Sequence, residues 1–209
     1  MKEPICETLV PRWRGPVIVA ATGKSFTEEV AEQCVNSGCP IVAVKQAVFR
    51  VPSANVLYAC DAWWWDKFSG CAQFLGEKWS SHHHRFDPKL EAAKKYRLHL
   101  VAGEKFPGFS VDPCRVHYGN NTGFAAINCA FHWISDTKKR VIAVGFDMQG
   151  GYFYGDHPLG KRYGRQWVDY LPNFKNAAKT MPSDWELIIG TPNSLLSQFF
   201  PTMTLGEAL

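Results

Sequence analysis

The chain has 209 residues, of which 46% are hydrophobic and 14% are aromatic. This composition predicts a packed globular protein and argues against disorder, and the length predicts a single domain over residues 1–209. Lys and Arg outnumber Asp and Glu by 23 to 19, which gives a formal net charge of +4. A positive charge this small suits a phosphate-bearing ligand but does not indicate nucleic acid by itself.

The cysteines and the N-terminal segment indicate the cellular compartment of the protein. None of the seven cysteines forms a Cys-x-x-Cys pair, and several lie in apolar runs, where a free thiol packs as a small hydrophobic group. This favours a reducing cytoplasm. The first 15 residues lack a continuous apolar h-region, and no stretch approaches the roughly 20 apolar residues that cross a bilayer. We therefore expect a cytoplasmic protein that is neither secreted nor attached to a membrane.

Apolar runs alternate with helical patterns along the chain, which is typical of a parallel sheet with crossover helices. The first predicted strand ends near Ala21. A helix follows over 25–38, in which Ser25 and Glu28 have the spacing of a capping box. The later predicted strands are 39–46, 54–61, 96–103, 139–147 and 185–194. The later predicted helices are 62–76, 89–96, 120–136, 167–180 and 194–200, with a loop over 148–167 and no assignment for 77–86.

Polar and small residues follow the predicted strands. Ligands of parallel sheets bind at the carboxyl ends of strands, where helix N-termini present backbone N–H groups and a carboxylate accepts a ribose or sugar hydroxyl. No Walker A or GxGxxG motif is present. We predict a nucleotide site that includes Thr22, Gly23, Lys24, Ser25, Lys45, Asp61, Asn121, Thr122, Gly123, Asp147 and Gln149. The alternatives are an ordinary capped helix start for 22–25 and a turn residue for Asp147.

Two other features have structural explanations that we prefer. His82 and His84 alternate in "SSHHHR" and are the two histidines there that could share a metal ion, but we predict no metal site. The three tryptophans at 63–65 could stack on bases, although core and surface packing is the simpler interpretation.

Four segments resemble the bacterial sialyltransferases, which share a fold with the domain-of-unknown-function 115 and flagellin-modification proteins. The segments are "VIVAATGKSF", "NNTGFAAINCAF", "IAVGFDMQG" and "IIGTPNSLLSQFF", in the order of that superfamily and within residues 17–200. Together with "YACDAWWW" and "GDHPLG", they are also similar to uncharacterised phage and prophage members of the fold. Thr22 and Lys45 stand where the family has Asn.

The resemblance implies an α/β, Rossmann-like, mostly parallel sheet with helices on both faces and a small lid within 148–170. It also implies a metal-independent glycosyltransferase with a nucleotide-sugar donor, no cofactor, and a histidine base on the lid. His157 is the candidate base, with Asp156 or a carbonyl fixing its tautomer. The alternative for "GDHP" is an Asp-turn followed by a structural histidine. Tyr152, Tyr154 or Tyr163, with Lys24, Lys45 or Arg162, would stabilise the departing phosphate.

The resemblance leaves the acceptor and the assembly state open. The acceptor could be modified phage DNA, a glycan or a protein, in the host cytoplasm if the chain is phage-encoded, and a homo-oligomer is an open alternative. Two other functions fit the same residues. One is a non-catalytic nucleotide or nucleic-acid binding module, and the other is an enzyme like the pterin diphosphokinases.

Overall fold

The computed structural model describes residues 6–82, 89–156 and 165–209. Apolar, largely β-branched runs form the central strands, which are buried on both faces. The strands are β1 (Val17–Ala20), β2 (Ile41–Val44), β3 (Val56–Tyr58), β4 (Glu77–His82), β5 (His99–Glu104), β6 (Arg115–His117), β7 (Lys139–Val144) and β8 (Trp185–Ile189).

Six α-helices connect or follow the strands within the described residues. They are α1 (Glu28–Asn36), α2 (Ala62–Lys67), α3 (Lys89–Tyr96), α4 (Thr122–Trp133), α5 (Arg165–Thr180) and α6 (Leu205–Ala208). Short 3₁₀ segments span Lys45–Phe49, Ser69–Cys71 and Leu195–Gln198.

The eight strands form one sheet in the order β6-β5-β4-β3-β2-β1-β7-β8, and every neighbouring pair is parallel. The predicted α/β, Rossmann-like fold is thereby confirmed. From β1 the chain builds outward to β6 on one side and then returns to place β7 on the other side of β1. Such a reversal of strand order opens a crevice at the carboxyl ends of the strands.

Helices cover both faces of this sheet. Val17 and Val19 point to the face that α4 and α5 cover, and Ile18 and Ala20 point to the face that α1 and α2 cover. All residues of α4 after Thr122 are buried. A helix that is apolar all round belongs inside a protein, and α4 accordingly lies against the centre of the sheet with its N-terminus near the crevice.

Two strands were missed by the sequence analysis. β4 has the sequence "EKWSSH", which offers no apolar run, because its buried positions include Ser80 and Ser81. β6 has only three residues and pairs with β5 at the edge of the sheet. Neither segment carries the apolar run or the strict alternation on which strand prediction relies.

Several predicted boundaries were also wrong. The N-cap of α1 is Thr27, whose hydroxyl accepts from Val30 N at 3.3 Å, and not Ser25. α2 ends at Lys67, well before residue 76, since Ser69, Gly70 and Cys71 have positive φ angles that a helix does not tolerate. The predicted helix over 194–200 is a 3₁₀ turn, and α6 beyond it was not predicted.

The seven cysteines are free thiols. Burial raises the pKa of the Cys34 thiol to about 12 and raises the pKa of the Cys129 thiol further. Both thiols are therefore protonated at neutral pH and behave as packing groups. Among the described residues, no helix combines the length and the apolar character that crossing a membrane requires.

Candidate functional site

A cleft of about 330 Å³ lies at the carboxyl ends of the central strands, where the strand order reverses. Its size is at the small end of the range for ligand sites, which is about 300–1,000 Å³. The walls come from the segments that follow β1, β2, β3 and β7, from the start of α4, and from α5. We call this space the cleft. The described residues that border it are 21–23, 44–46, 60, 61, 63, 118, 120–123, 145–149, 151, 152, 154 and 170.

The structure brings most of the predicted nucleotide-binding residues to this cleft. Those that border it are Thr22, Gly23, Lys45, Asp61, Asn121, Thr122, Gly123, Asp147 and Gln149. Lys24 is exposed and does not border the cleft, and Ser25 lies behind Asp147. The two exceptions follow from the path of the chain, which turns away from the cleft after Gly23 to enter α1.

The predicted catalytic residues divide differently. Tyr154 borders the cleft, whereas Asp156 is exposed and does not border it. His157, Arg162 and Tyr163 lie outside the described residues. The same holds for His84, so the alternative that His82 and His84 share a metal ion is not tested. Within the described ranges, no three His, Cys, Asp or Glu side chains are grouped as a metal ligand set.

Asp147 is held at the end of β7 by the loop that follows β1. Ser25 Oγ donates to Asp147 Oδ2 at 2.9 Å, and Ser25 N lies 3.3 Å from Oδ1. These bonds explain why Ser25 does not cap α1. Burial raises the pKa of the Asp147 carboxyl above its ordinary value, and the bonds from Ser25 oppose that rise. The site thus positions a partly desolvated carboxylate that retains acceptor capacity for a ligand hydroxyl.

Gly23 permits the close approach of these two segments. A Cβ atom at this position would lie 1.7 Å from Asp147 Oδ2 and 2.5 Å from the carbonyl oxygen of Gly145. Gly23 N donates to that same carbonyl at 2.9 Å. Only a residue without a side chain fits here, which gives the small residue predicted in the first loop a specific packing reason.

An ion pair lies at the ends of β2 and β3. Lys45 Nζ is 2.5 Å from Asp61 Oδ2, and it also lies 5.8 Å from the centre of the Trp63 ring. Lys45 has a φ of 51°, a left-handed conformation that is rare outside glycine and clusters at functional sites. Of the described residues that border the cleft, Lys45 is the single Lys or Arg.

The N-terminus of α4 opens toward the cleft. Asn121 is its N-cap and accepts from Phe124 N at 2.9 Å, while Thr122 and Gly123 form the first turn. A Cβ on Gly123 would lie 2.6 Å from the Phe146 ring, so the glycine lets the helix start pack directly beneath the end of β7. The free N–H groups of a helix start favour anionic ligand atoms.

The segment after β7 is fastened to the loop after β1. Phe153 N donates to Thr22 O at 3.1 Å, and the Phe153 ring lies beneath the Arg50 guanidinium, whose Cζ is 3.9 Å from the ring centre. The flanking rings of Tyr152 and Tyr154 are stacked, with centres 5.0 Å apart, and both border the cleft. The first part of the predicted lid is therefore an anchored wall that carries two phenols.

The segment 191–194 holds the backbone next to Asp147 in place. Thr191 Oγ1 accepts from Phe146 N at 3.1 Å, and Ser194 Oγ donates to Phe146 O. Both side chains are buried. Their role is to fix the backbone on either side of Phe146, and hence the position of Asp147.

Some residues of the cleft were not assigned to it from the sequence. Trp64 and Trp65 are fully buried, as their core interpretation requires, but Trp63 borders the cleft. Tyr118 and Tyr170 border it as well. The position of Tyr170 depends on how α5 packs, for which no short-range sequence signal exists. Burial, together with the negative charges of Asp61 and Asp169, raises the pKa of the Tyr170 phenol, so it is a hydrogen-bond donor at neutral pH.

No protein-family model matches the chain, and no curated protein matches it either. The residues of the cleft provide one carboxylate held by Ser25, one ion pair, several phenols and a helix start. This set suits a ligand that combines hydroxyl groups, an aromatic ring and an anionic group, which is the chemistry of a nucleotide.

Proposed function

We propose that the chain is a nucleotide-sugar-dependent, metal-independent glycosyltransferase that acts in the cytoplasm. The observation that supports this most is the position of the cleft, which lies where the strand order reverses and gathers nearly all of the predicted nucleotide-binding residues. The four-segment resemblance to the bacterial sialyltransferase superfamily supports the same assignment.

In the proposed reaction an acceptor hydroxyl attacks the anomeric carbon of the donor sugar. A glycosidic C–O bond forms, the C–O bond to the phosphate breaks, and the nucleotide departs with that electron pair. The acceptor proton passes to a general base, for which His157 is the candidate. Asp147 would accept from a ribose or sugar hydroxyl, and the phenols of Tyr152 and Tyr154 would donate to the departing phosphate.

The experiment that tests the proposal is a ligand screen followed by a turnover assay. Nucleoside monophosphates, nucleoside diphosphates and nucleotide sugars are compared by thermal shift, because a ligand of the folded state raises the melting temperature with concentration. Nucleotide release is then measured with each nucleotide sugar that binds, in the presence of DNA, glycan and protein acceptors in turn. Binding without release from any of them would favour the non-catalytic binding module, and no binding would contradict both functions.

Nucleotide binding is expected to be independent of divalent cations. No DxD motif follows any strand, and Asp61 and Asp147 are each the single acidic residue directly after a strand in the sequence. We expect the dissociation constant of the best nucleotide to change less than twofold between 5 mM chelator and 5 mM magnesium, both being conditions of the assay. An affinity that disappears with the chelator and returns with magnesium or manganese would contradict the metal-independent assignment.

Nucleotide affinity is also expected to fall at acid pH through Asp147. A ligand hydroxyl donates best to the carboxylate form, and the raised pKa of Asp147 means that this form is lost at a higher pH than for an ordinary aspartate, whose pKa is about 3.9. The affinity should therefore decrease as pH falls from neutral through that raised pKa.

The matched control is Asp147→Asn, which keeps the shape of the side chain but has no carboxyl to titrate. Its affinity at neutral pH should be lower by about tenfold, which is the loss of one charge-assisted hydrogen bond. The ratio of the wild-type and variant affinities removes the titration of the ligand itself. A ratio that does not change with pH would show that Asp147 has only a structural role.

A further inference from the structure

A buried amide with a fixed orientation borders the cleft at the end of β2. Gln46 is only 4% exposed, and its Oε1 accepts from the indole N–H of Trp64 at 3.0 Å. An indole N–H is a donor and never an acceptor, so the atom that faces Trp64 must be the amide oxygen. The NH₂ group of Gln46 consequently occupies the other end of the amide.

That NH₂ group has hydrogen-bonding capacity left over. Within the part of the chain that the structure describes, the bond from Trp64 is the one hydrogen bond of the Gln46 side chain. Nε2 of Gln46 is not among the buried atoms that lack a partner in the described residues, so this donor keeps contact with the solvent of the cleft. Because Gln46 borders the cleft, an acceptor atom of a bound ligand can bind the NH₂ group in place of solvent.

The surroundings indicate an uncharged acceptor. Lys45, the neighbouring cation, is already paired with Asp61, so the ends of β2 and β3 present no net positive charge for a phosphate. Trp63 and Tyr170 add aromatic surface to the cleft. An amide donor beside aromatic rings suits the edge of a planar heterocycle, which offers carbonyl oxygens and ring nitrogens as acceptors.

We propose that the Gln46 NH₂ group binds an acceptor atom on the edge of a nucleobase. The base then lies at the ends of β2 and β3, and the phosphate lies toward Thr122 and Gly123 at the start of α4. This inference rests on the proposed nucleotide site and specifies which end of the cleft receives which part of the ligand.

The test is to measure the affinity of AMP, CMP, GMP, UMP and ribose 5-phosphate by calorimetry for the wild-type chain and two variants. Gln46→Glu keeps an acceptor for Trp64 and removes the NH₂ donor, and Gln46→Met removes both polar groups without adding a charge. For the nucleotide that binds wild type best, we expect both variants to lose about tenfold in affinity. Ribose 5-phosphate, which has no base, should change by less than twofold with Gln46→Met.

The outcomes distinguish a failure of this inference from a failure of the proposed function on which it rests. A wild-type chain that binds a nucleotide, with unchanged affinity in both variants, would overturn the role of Gln46 and leave the nucleotide site standing. An equal loss for ribose 5-phosphate with Gln46→Met would also overturn it, because the contact would then be to the ribose phosphate. A wild-type chain that binds none of these monophosphates, and none of the diphosphates and nucleotide sugars of the ligand screen, would overturn the inference together with the proposed function. The melting temperature of each variant without ligand shows whether it folds. If Gln46→Met does not fold, the affinity of Gln46→Glu alone tests the role of Gln46.

Discussion

His157→Ala is expected to bind nucleotide within about twofold of wild type while nucleotide release from the donor falls by about 10²–10⁴-fold, which is the usual contribution of a general base. A neutral histidine, whose ordinary pKa is about 6.5, can accept the proton of an acceptor hydroxyl near neutral pH. Binding should persist because the contacts proposed for the nucleotide come from other residues.

Described residues that precede His157 in the chain border the cleft. Tyr154, three residues before His157 in the sequence, is one of them. Gly155 has a φ of 88°, which turns the chain immediately before this position. In the sequence, Pro158 follows His157, and a residue before proline generally favours extended backbone conformations.

The control is His99→Ala. His99 is the first residue of β5, so it lies at the amino end of its strand, whereas the cleft lies at the carboxyl ends. It pairs with Glu7, and its removal should leave both binding and turnover unchanged. Full turnover by His157→Ala, in the same assay, would remove the catalytic assignment and leave a structural turn in its place.

Gly23→Ala is expected to destabilise the protein by about 3 kcal/mol, as overpacking of a site without free space typically does. The new methyl group would collide with Asp147 Oδ2 and with the carbonyl of Gly145, and the carboxylate would have to give up its bonds from Ser25 to make room. For a chain of this length we expect the melting temperature to fall by about 6–12 °C. Nucleotide affinity should fall at least tenfold, because Asp147 must move.

The matched control is Gly206→Ala. Gly206 lies in α6 with nothing within 4 Å of an added Cβ, and alanine at an unstrained helical position is neutral or stabilises by up to about 1 kcal/mol. Both unfolding transitions are followed by circular dichroism. A Gly23→Ala variant that melts within 2 °C of wild type and binds normally would show that Asp147 is not held where the site requires it.

The fold was predictable where burial leaves a pattern in the sequence. β1, β2 and β7 are continuous apolar runs because a central parallel strand is covered on both faces. β4 was not predicted, because two of its buried positions are serines and the segment therefore has no apolar run. The α/β class was still predicted correctly, because strands and helices alternate in the remainder of the chain.

The sequence was sufficient to predict which segments form the candidate site, but not which side chains contact each other within it. The carboxyl ends of parallel strands share one edge of the sheet, so Asp147 and Thr22 could be placed together before the structure was known. The pairing of Lys45 with Asp61 depends on the register of β2 and β3, and the use of Ser25 by Asp147 depends on the approach that Gly23 permits. Such distances follow from tertiary packing and leave no local trace in the sequence.

The position of β1 in the sheet has a consequence for biosynthesis. β2, which pairs with one side of β1, follows it within about 25 residues, but β7, which pairs with the other side, follows only after about 120 residues. Contacts between segments so distant in sequence form slowly, and an apolar strand edge that waits for its partner is a site of aggregation. A growing chain therefore exposes one edge of this fully buried strand until residues 139–144 have left the ribosome. Because Asp147 follows directly, the cleft is assembled in the same late step that removes this hazard.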